Sequence, residues 1–411
     1  MPGIGGLPVA EADLGIYLTV PEMETHFRDC VYIRDLHRVM VPDGAMLKPG
    51  CGWLPPDWLP QQALRRGLRT LARAGDGSLT DYGSPLGLPA LRQLLARRMA
   101  DRGVEASADQ IVLTDSGTQA IDLVCRFLIE PGDTVLVDDP CYFNFLAVLR
   151  AHRAQIVGIP QTPTGPDVEQ FARAIAEHAP RLYLTNAAIH NPTGATLSPV
   201  TAHRLLKLAD EAHLTIVEDE VFADLEMVAA PRLAAFDGMQ RVVQVGSFSK
   251  TLSAAARVGY VAARRDWVDG LLDLKIATSF GSGQMSSELV LNVLKDGSYR
   301  KHVEALRIRL ARAMVEVSSR LKAVGIRPWL QPQAGFETAL DQVARLSRAQ
   351  LALARVDRGE GDHHVAVGGG GFADLLVRDA AAAELGLAVD GEHHQADLHL
   401  AVVRHRLFDG G

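Results

Sequence analysis

The stretch Val242-Val243-Gln244-Val245-Gly246-Ser247-Phe248-Ser249-Lys250-Thr251-Leu252, followed by Arg257-Val258-Gly259-Tyr260, decides how the rest of the chain reads. So short an apolar, β-branched run predicts a buried strand. A lysine framed by small polar residues just after it predicts a turn at the strand's carboxyl end. A lone lysine in such a place is most often a solvated surface charge. Three further segments bear on that reading: Asp115-Ser116-Gly117-Thr118-Gln119, His190-Asn191-Pro192-Thr193-Gly194 and Glu218-Asp219-Glu220-Val221-Phe222. Each reads as a strand end that could feed the same pocket.

Outward from that stretch, residues 110–262 alternate. Strands are predicted at Ile111–Leu113, Thr134–Val137, Gln155–Ile159, Arg181–Thr185, Leu214–Glu218, Val242–Gly246 and Val258–Ala262. Helices are predicted between them, at Gly117–Ile129, Tyr142–His152, Asp167–His178 and Pro199–Ala212. This βαβα order implies an α/β fold with a mostly parallel sheet flanked by helices. Ligands of such sheets bind beyond the carboxyl ends of the strands. Helices dominate from Trp267 to Val324. One is long and amphipathic, Lys301–Leu321, with Val303, Leu306, Leu310, Met314, Val317 and Leu321 on its apolar stripe.

Upstream lies a turn-rich segment, Gly50–Pro60, whose Trp53 and Trp58 could pack on this chain's core or on a partner subunit. Tyr82 stands in a Gly- and Pro-rich loop, where it is either a surface residue or one that reaches a site. Beyond about Gly335 the composition changes: Lys, Met, Trp, Tyr, Ile, Asn and Cys are absent. The pairs His363-His364 and His393-His394 there fit compositional bias better than a ligand geometry, and no metal site is expected. The resulting division is an N-terminal arm and segment over 1–80, a large domain over 81–300 and a smaller C-terminal α/β domain over 301–411.

The 411 residues are 47% hydrophobic and 22% charged, which suits an ordinary globular protein with a large core. A net charge of -7 weighs against a nucleic-acid surface. Cys30, Cys51, Cys125 and Cys141 show no CxxC spacing, so free thiols are expected. Neither a signal peptide nor an apolar run of about 20 residues is evident, and a cytoplasmic protein with no membrane association is expected.

The strand ends carry complementary chemistry. Ser116-Gly117-Thr118-Gln119 opens a helix, where free N–H groups suit a phosphate dianion, although the same residues also make an ordinary N-cap. Gly117 allows close backbone approach, Arg257 can add a charge-assisted contact and Ser247 a hydroxyl. Asp219 could pair with a ring nitrogen; the alternative is that Glu218, Asp219 and Glu220 form a solvated acidic loop. Asn191, kept extended by Pro192, could donate to a ring oxygen. Tyr142 could stack on a ring face. An amine at Lys250 could form a Schiff base. These are the needs of pyridoxal 5'-phosphate.

The chain thereby resembles the fold-type-I pyridoxal-phosphate enzymes of the class I/II aminotransferase family, and in particular the aminotransferase-like half of MocR-type regulators of the GntR group. The resemblance runs from about Trp53 to Gly335. Its motifs are Tyr82-Gly83-x-Pro85-x-Gly87, Ser116-Gly117-Thr118-Gln119, Asp139-Pro140-x-Tyr142, Asn191-Pro192-Thr193-Gly194, Asp219-x-x-Phe222, Ser247-x-Ser249-Lys250 and Arg257-x-Gly259. It implies an aspartate-aminotransferase-like large domain. Lys250 would bind the cofactor as a Schiff base and act with Asp219 in catalysis. Asp219 would pair with the ring nitrogen, Asn191 would bond the 3′-oxygen, and Tyr142 would stack. Thr118, Gln119, Ser247 and Arg257 would hold the phosphate, with Gly117 and Ser249 in the same motifs. Tyr82 would reach the phosphate of a partner subunit, so a homodimer is implied.

The implied reaction moves an amino group between an amino acid and a 2-oxo acid. The alternatives are a pyridoxal-phosphate-binding effector or sensor domain of a MocR-type regulator lacking its DNA-binding half, or a different reaction of the same cofactor. The chain departs from the family in three places. Phe222 stands where a tyrosine commonly bonds the 3′-oxygen, which leaves Asn191 to act alone. No winged helix precedes the resemblance. The arginine that clamps the substrate carboxylate cannot be aligned, although Arg378, Arg404 and Arg406 are present. The stretch after Gly335 is thus either a divergent small domain or one read in a shifted frame.

Overall fold

A computed structural model of the protein describes residues 54–73, 80, 82–323 and 330. Most of the expected N-terminal arm, the bulk of the small domain, both histidine pairs and the three C-terminal arginines lie outside the described residues. One compact unit takes in Leu54–Leu310 and carries everything discussed below.

Its sheet has eight strands: β1 (Ile111–Thr114), β2 (Thr134–Asp139), β3 (Gln155–Thr162), β4 (Gly165–Pro166), β5 (Leu182–Thr185), β6 (Thr215–Asp219), β7 (Val242–Ser247) and β8 (Gly259–Ala262). Their order is β1-β8-β7-β6-β5-β2-β3-β4. The neighbours β7-β6-β5-β2-β3 are all parallel, whereas β8 runs antiparallel to both β7 and β1. Strands β5, β7 and β8 are buried along almost their whole length, as strands covered on both faces must be.

The helices are α1 (Gln61–Leu71), α2 (Pro89–Ala100), α3 (Gly117–Leu128), α4 (Phe143–Ala151), α5 (Val168–His178), α6 (Pro199–Glu211), α7 (Leu233–Asp237), α8 (Val268–Ser279), α9 (Gln284–Lys295) and α10 (Ser298–Ala323). Helix α3 packs on β7, β8 and α8, while α4 and α5 pack on β3. No helix of the described residues is long and apolar enough to cross a membrane.

Three expected boundaries shift for local reasons. Tyr142 is the N-cap of α4 rather than its first residue. Strand β3 runs on to Thr162 because a tight turn pairs Thr162 with Gly165, and Gly165 sits at φ 118°, open to glycine alone. The long helix begins at Ser298, three residues early, with the Asp296 carboxylate accepting the Ser298 N–H at 2.8 Å. Trp58 is buried in this chain's own core, with the Arg309 guanidinium 5.0 Å from its ring, which decides between the two readings left open for it. Cys125 and Cys141 are buried free thiols, and burial pushes the Cys125 thiol up to about 12.

Candidate active site

Strands β1, β2, β5, β6 and β7 all end at one edge of the sheet. Because β8 runs the other way, it starts there, and this brings Arg257 and Gly259 to the same edge although they precede a strand. Gly259 sits in register between Thr114 and Ser247. A Cβ on Gly259 would lie 2.5 Å from the Ser116 carbonyl carbon and 2.8 Å from the Gly117 nitrogen. Glycine is therefore what lets β8 approach the loop that opens α3.

That loop is tightly ordered. The Ser116 hydroxyl accepts the Gln119 N–H at 3.0 Å and caps α3. The Asp115 N–H donates to Gln119 Oε1 at 2.6 Å, so half of the Gln119 amide serves the loop itself. Thr118 is exposed, its Oγ1 accepting from Asn144 Nδ2 at 3.3 Å. Across the edge, the Ser247 hydroxyl lies 2.9 Å from that of Ser249 and also accepts the Ser249 N–H at 3.2 Å. Arg257 is exposed and held at φ 49°, in the left-handed region where a residue with a side chain is strained. The N-terminus of α3, the hydroxyls of Thr118, Ser247 and Ser249, and a guanidinium thus share one edge.

The acidic segment is not a solvated loop. Glu218, Asp219 and Glu220 are all buried at the end of β6. Glu220 pairs with the buried Arg232 at 2.7 Å. Glu218 accepts the Leu233 and Ala234 N–H groups at 2.8 and 3.1 Å, and burial together with Glu220 raises it to about 8. These two acids hold the fold. Among the described residues Asp219 has no arginine partner. Its Oδ1 accepts the Val221 N–H at 3.0 Å, and burial raises its carboxyl to about 7, opposed in part by the nearby positive charge of Lys250. Lys250 lies in the turn after β7 and is half-buried, not a solvated surface charge.

Asn191 is buried, and its side-chain oxygen finds no hydrogen-bond partner among the described residues. Tyr142 sets its ring edge-on to Phe143 and Phe145, at 4.8 and 5.4 Å. Phe222 is buried three residues past Asp219. Tyr82 is 82% exposed, its ring 5.0 Å from that of Phe280. Among the described residues expected at the site, Thr118, Arg257 and Tyr82 are exposed.

Two supports went unnoticed in the sequence. Asn186 donates its side-chain N–H to the Asp219 carbonyl at 3.4 Å. The buried Asp138 accepts from Tyr183 at 2.5 Å, Gln161 at 2.6 Å and Thr185 at 2.6 Å, and its Oδ2 lies 3.3 Å from His190 Nε2. His190 Nδ1 is in turn 2.7 Å from the Thr193 hydroxyl, so the segment around Asn191 is braced from below. An acid inside the apolar run Val135-Leu136-Val137-Asp138 was the available signal. No group of three His, Cys, Asp or Glu among the described residues could hold a metal ion.

Sheet and edge together have an aspartate-aminotransferase-like architecture. An aspartate aminotransferase from Thermus thermophilus superposes with a TM-score of 0.63 at 22% identity, covering 71% of this chain and 76% of that one. Kynurenine aminotransferase from Pyrococcus horikoshii, solved in complex with PMP, does so with a TM-score of 0.67 at 24% identity, covering 74% and 77%. The family model described as aminotransferase class I and II matches residues 55–361, and the chain belongs to that family. Among curated relatives, the uncharacterized HTH-type transcriptional regulator YdfD of Bacillus subtilis is 27% identical over 284 residues, 68% of this chain and 58% of that protein. Aromatic-amino-acid aminotransferase 1 of Thermococcus litoralis is 26% identical over 298 residues, 69% of this chain and 71% of that one. The chain thus spans about three fifths of the regulator it matches.

Proposed function

We propose that this chain is a pyridoxal-phosphate-dependent aminotransferase that moves an amino group between an amino acid and a 2-oxo acid. The observation that carries this reading is the pair Asp219 and Lys250, a buried carboxyl raised to about 7 beside a half-buried amine at the sheet's ligand-binding edge. A buried acid without a guanidinium partner among the described residues suits a protonated ring nitrogen. The amide of Asn191, buried at the same edge, could donate its N–H to the ring's 3′-oxygen. The N-terminus of α3 with Thr118, Gln119, Ser247 and Arg257 suits the phosphate. On these three counts the residues fit the cofactor. When bound, it supplies an aldehyde that captures amino groups and a ring that withdraws electrons from substrate Cα.

The chain's own residues then divide the work. Lys250 anchors the cofactor and, once a substrate amine displaces it, moves a proton at substrate Cα. Asp219 keeps the ring nitrogen protonated, Asn191 orients the ring, Tyr142 covers a face of it, and Ser249 shapes the turn before the lysine. Tyr82 is exposed as a residue serving a second subunit would be, which supports a homodimer as the working form, proposed to act in the cytoplasm. The similarity to transcriptional regulators favours a second reading, in which the same pocket senses the cofactor or an amino acid without turnover.

The test is the visible absorption spectrum with pyridoxal phosphate, before and after a mixture of amino acids is added. A yellow band that bleaches toward the pyridoxamine form supports the aminotransferase. A band that forms and stays unchanged supports the sensor.

A further inference from the structure

Lys250 is followed by a residue that is gripped at its hydroxyl and its carbonyl. Thr251 is buried, and its hydroxyl lies 2.6 Å from the Tyr299 hydroxyl. Its carbonyl lies 2.8 Å from Nε2 of His302. Tyr299 and His302 stand one turn apart on α10, so a single helix face meets both groups.

The protons in this cluster can be assigned. Tyr299 lies 2.5 Å from Asp224 Oδ2, while Arg98 binds Oδ1 at 2.6 Å and Arg102 binds the same oxygen. Burial pushes the Asp224 carboxyl up, but the two guanidiniums beside it outweigh that and hold it below the usual carboxylate range. An ionised carboxylate only accepts, so Tyr299 spends its one proton on Asp224. Its oxygen can then only accept from Thr251. A carbonyl also only accepts, so His302 carries its proton on Nε2. The chain of donation runs from Thr251 to Tyr299 to Asp224, anchored by Arg98 on α2 and Arg102 in the turn just after it. Every member has a fixed direction, which leaves Thr251 one orientation. The Leu252 and Ser253 N–H groups both close on the Phe248 carbonyl, at 2.9 and 3.1 Å, so the turn holding Lys250 is a compact unit on top of this clamp.

We propose that Tyr299, Thr251 and His302 are positioning residues that hold the Lys250 turn in place, so that its amine faces Asp219. In its catalytic consequence this rests on the reading of Lys250 as the cofactor-binding lysine; the clamping of the turn does not. Tyr299→Phe keeps the ring that packs 6.1 Å from Phe248 and under Arg98, and removes only the hydrogen bonds. Thr251→Val removes the same link from the other side, and Thr251→Ser restores it.

The experiment uses the full chain and has two readouts. The first is amide hydrogen exchange of the cofactor-free protein. Tyr299→Phe and Thr251→Val should speed exchange at 248–253 by about tenfold, the weight of one buried hydrogen bond, with β6 and β7 unchanged and Thr251→Ser like the parent. The second is the rate at which the visible band appears on adding pyridoxal phosphate, which should slow about tenfold in the same two variants and not in Thr251→Ser. Exchange at 248–253 that matches the parent in both variants overturns the clamp. Faster exchange with an unchanged rate of uptake overturns its role toward Lys250. If the parent forms no band at all, the functional reading fails, and exchange alone decides the clamp.

Discussion

Asp219 is a buried acid at the edge of the sheet. Burial raises its carboxyl to about 7 in the folded chain, whereas the unfolded chain releases that proton near 3.8. A raised carboxyl contributes stability that is full below the unfolded value and is lost as pH rises through the folded one. Three pH units of such loss amount to about 4 kcal/mol. Glu218, raised to about 8, acts in the same sense. The melting temperature of the cofactor-free protein should therefore fall between about pH 4 and about pH 8, and fall less steeply in Asp219→Asn, which cannot ionise; equal slopes would remove Asp219 from the account. Phe222 makes a second point at this scale. It cannot donate to a ring oxygen, so Phe222→Tyr should lower the pKa at which the bound cofactor's visible band changes, by about one unit for one added hydrogen bond. A spectral titration that does not move would show that Phe222 does not face the 3′-oxygen.

At the scale of elements, the edge depends on how closely β8 and the start of α3 approach. Gly259→Ala would put a Cβ 2.5 Å from backbone atoms of Ser116, which cannot give way as a flexible side chain can. The expected cost is about 1–3 kcal/mol of stability, read by denaturant unfolding, with a cofactor affinity weakened by about tenfold. Parent-like values for both would mean that the loop has slack. The sequence made the alternation of strands and helices readable, because buried parallel strands are short unbroken apolar runs such as Val242–Val245 and Ile216-Val217. It could not show that β8 is antiparallel, since Val258-Gly259-Tyr260-Val261 has no mark of direction. That Asp219 and Lys250 fall at strand ends was readable from type and spacing. The supports of the site were not: Asp138 meets His190, and Thr251 meets Tyr299 from 48 residues away, through contacts that only the folded chain creates.

At the scale of the whole molecule, the proposed homodimer bears on Tyr82, which is 82% exposed beside an exposed Phe280. Sedimentation should give twice the chain mass, and Tyr82→Phe should weaken cofactor binding by up to about tenfold while leaving that mass unchanged. A monomer that binds the cofactor as well as the parent would refute the shared site. The family match extends to residue 361, beyond Gly335 where the motifs stop being readable, so part of the compositionally odd segment still follows the family. The most direct measurement of the central claim is borohydride reduction of the protein loaded with pyridoxal phosphate, followed by peptide mass mapping. The account expects a single pyridoxyl group, on the peptide that contains Lys250, and none in Lys250→Ala. Label on another lysine such as Lys275, or no label at all, would contradict it.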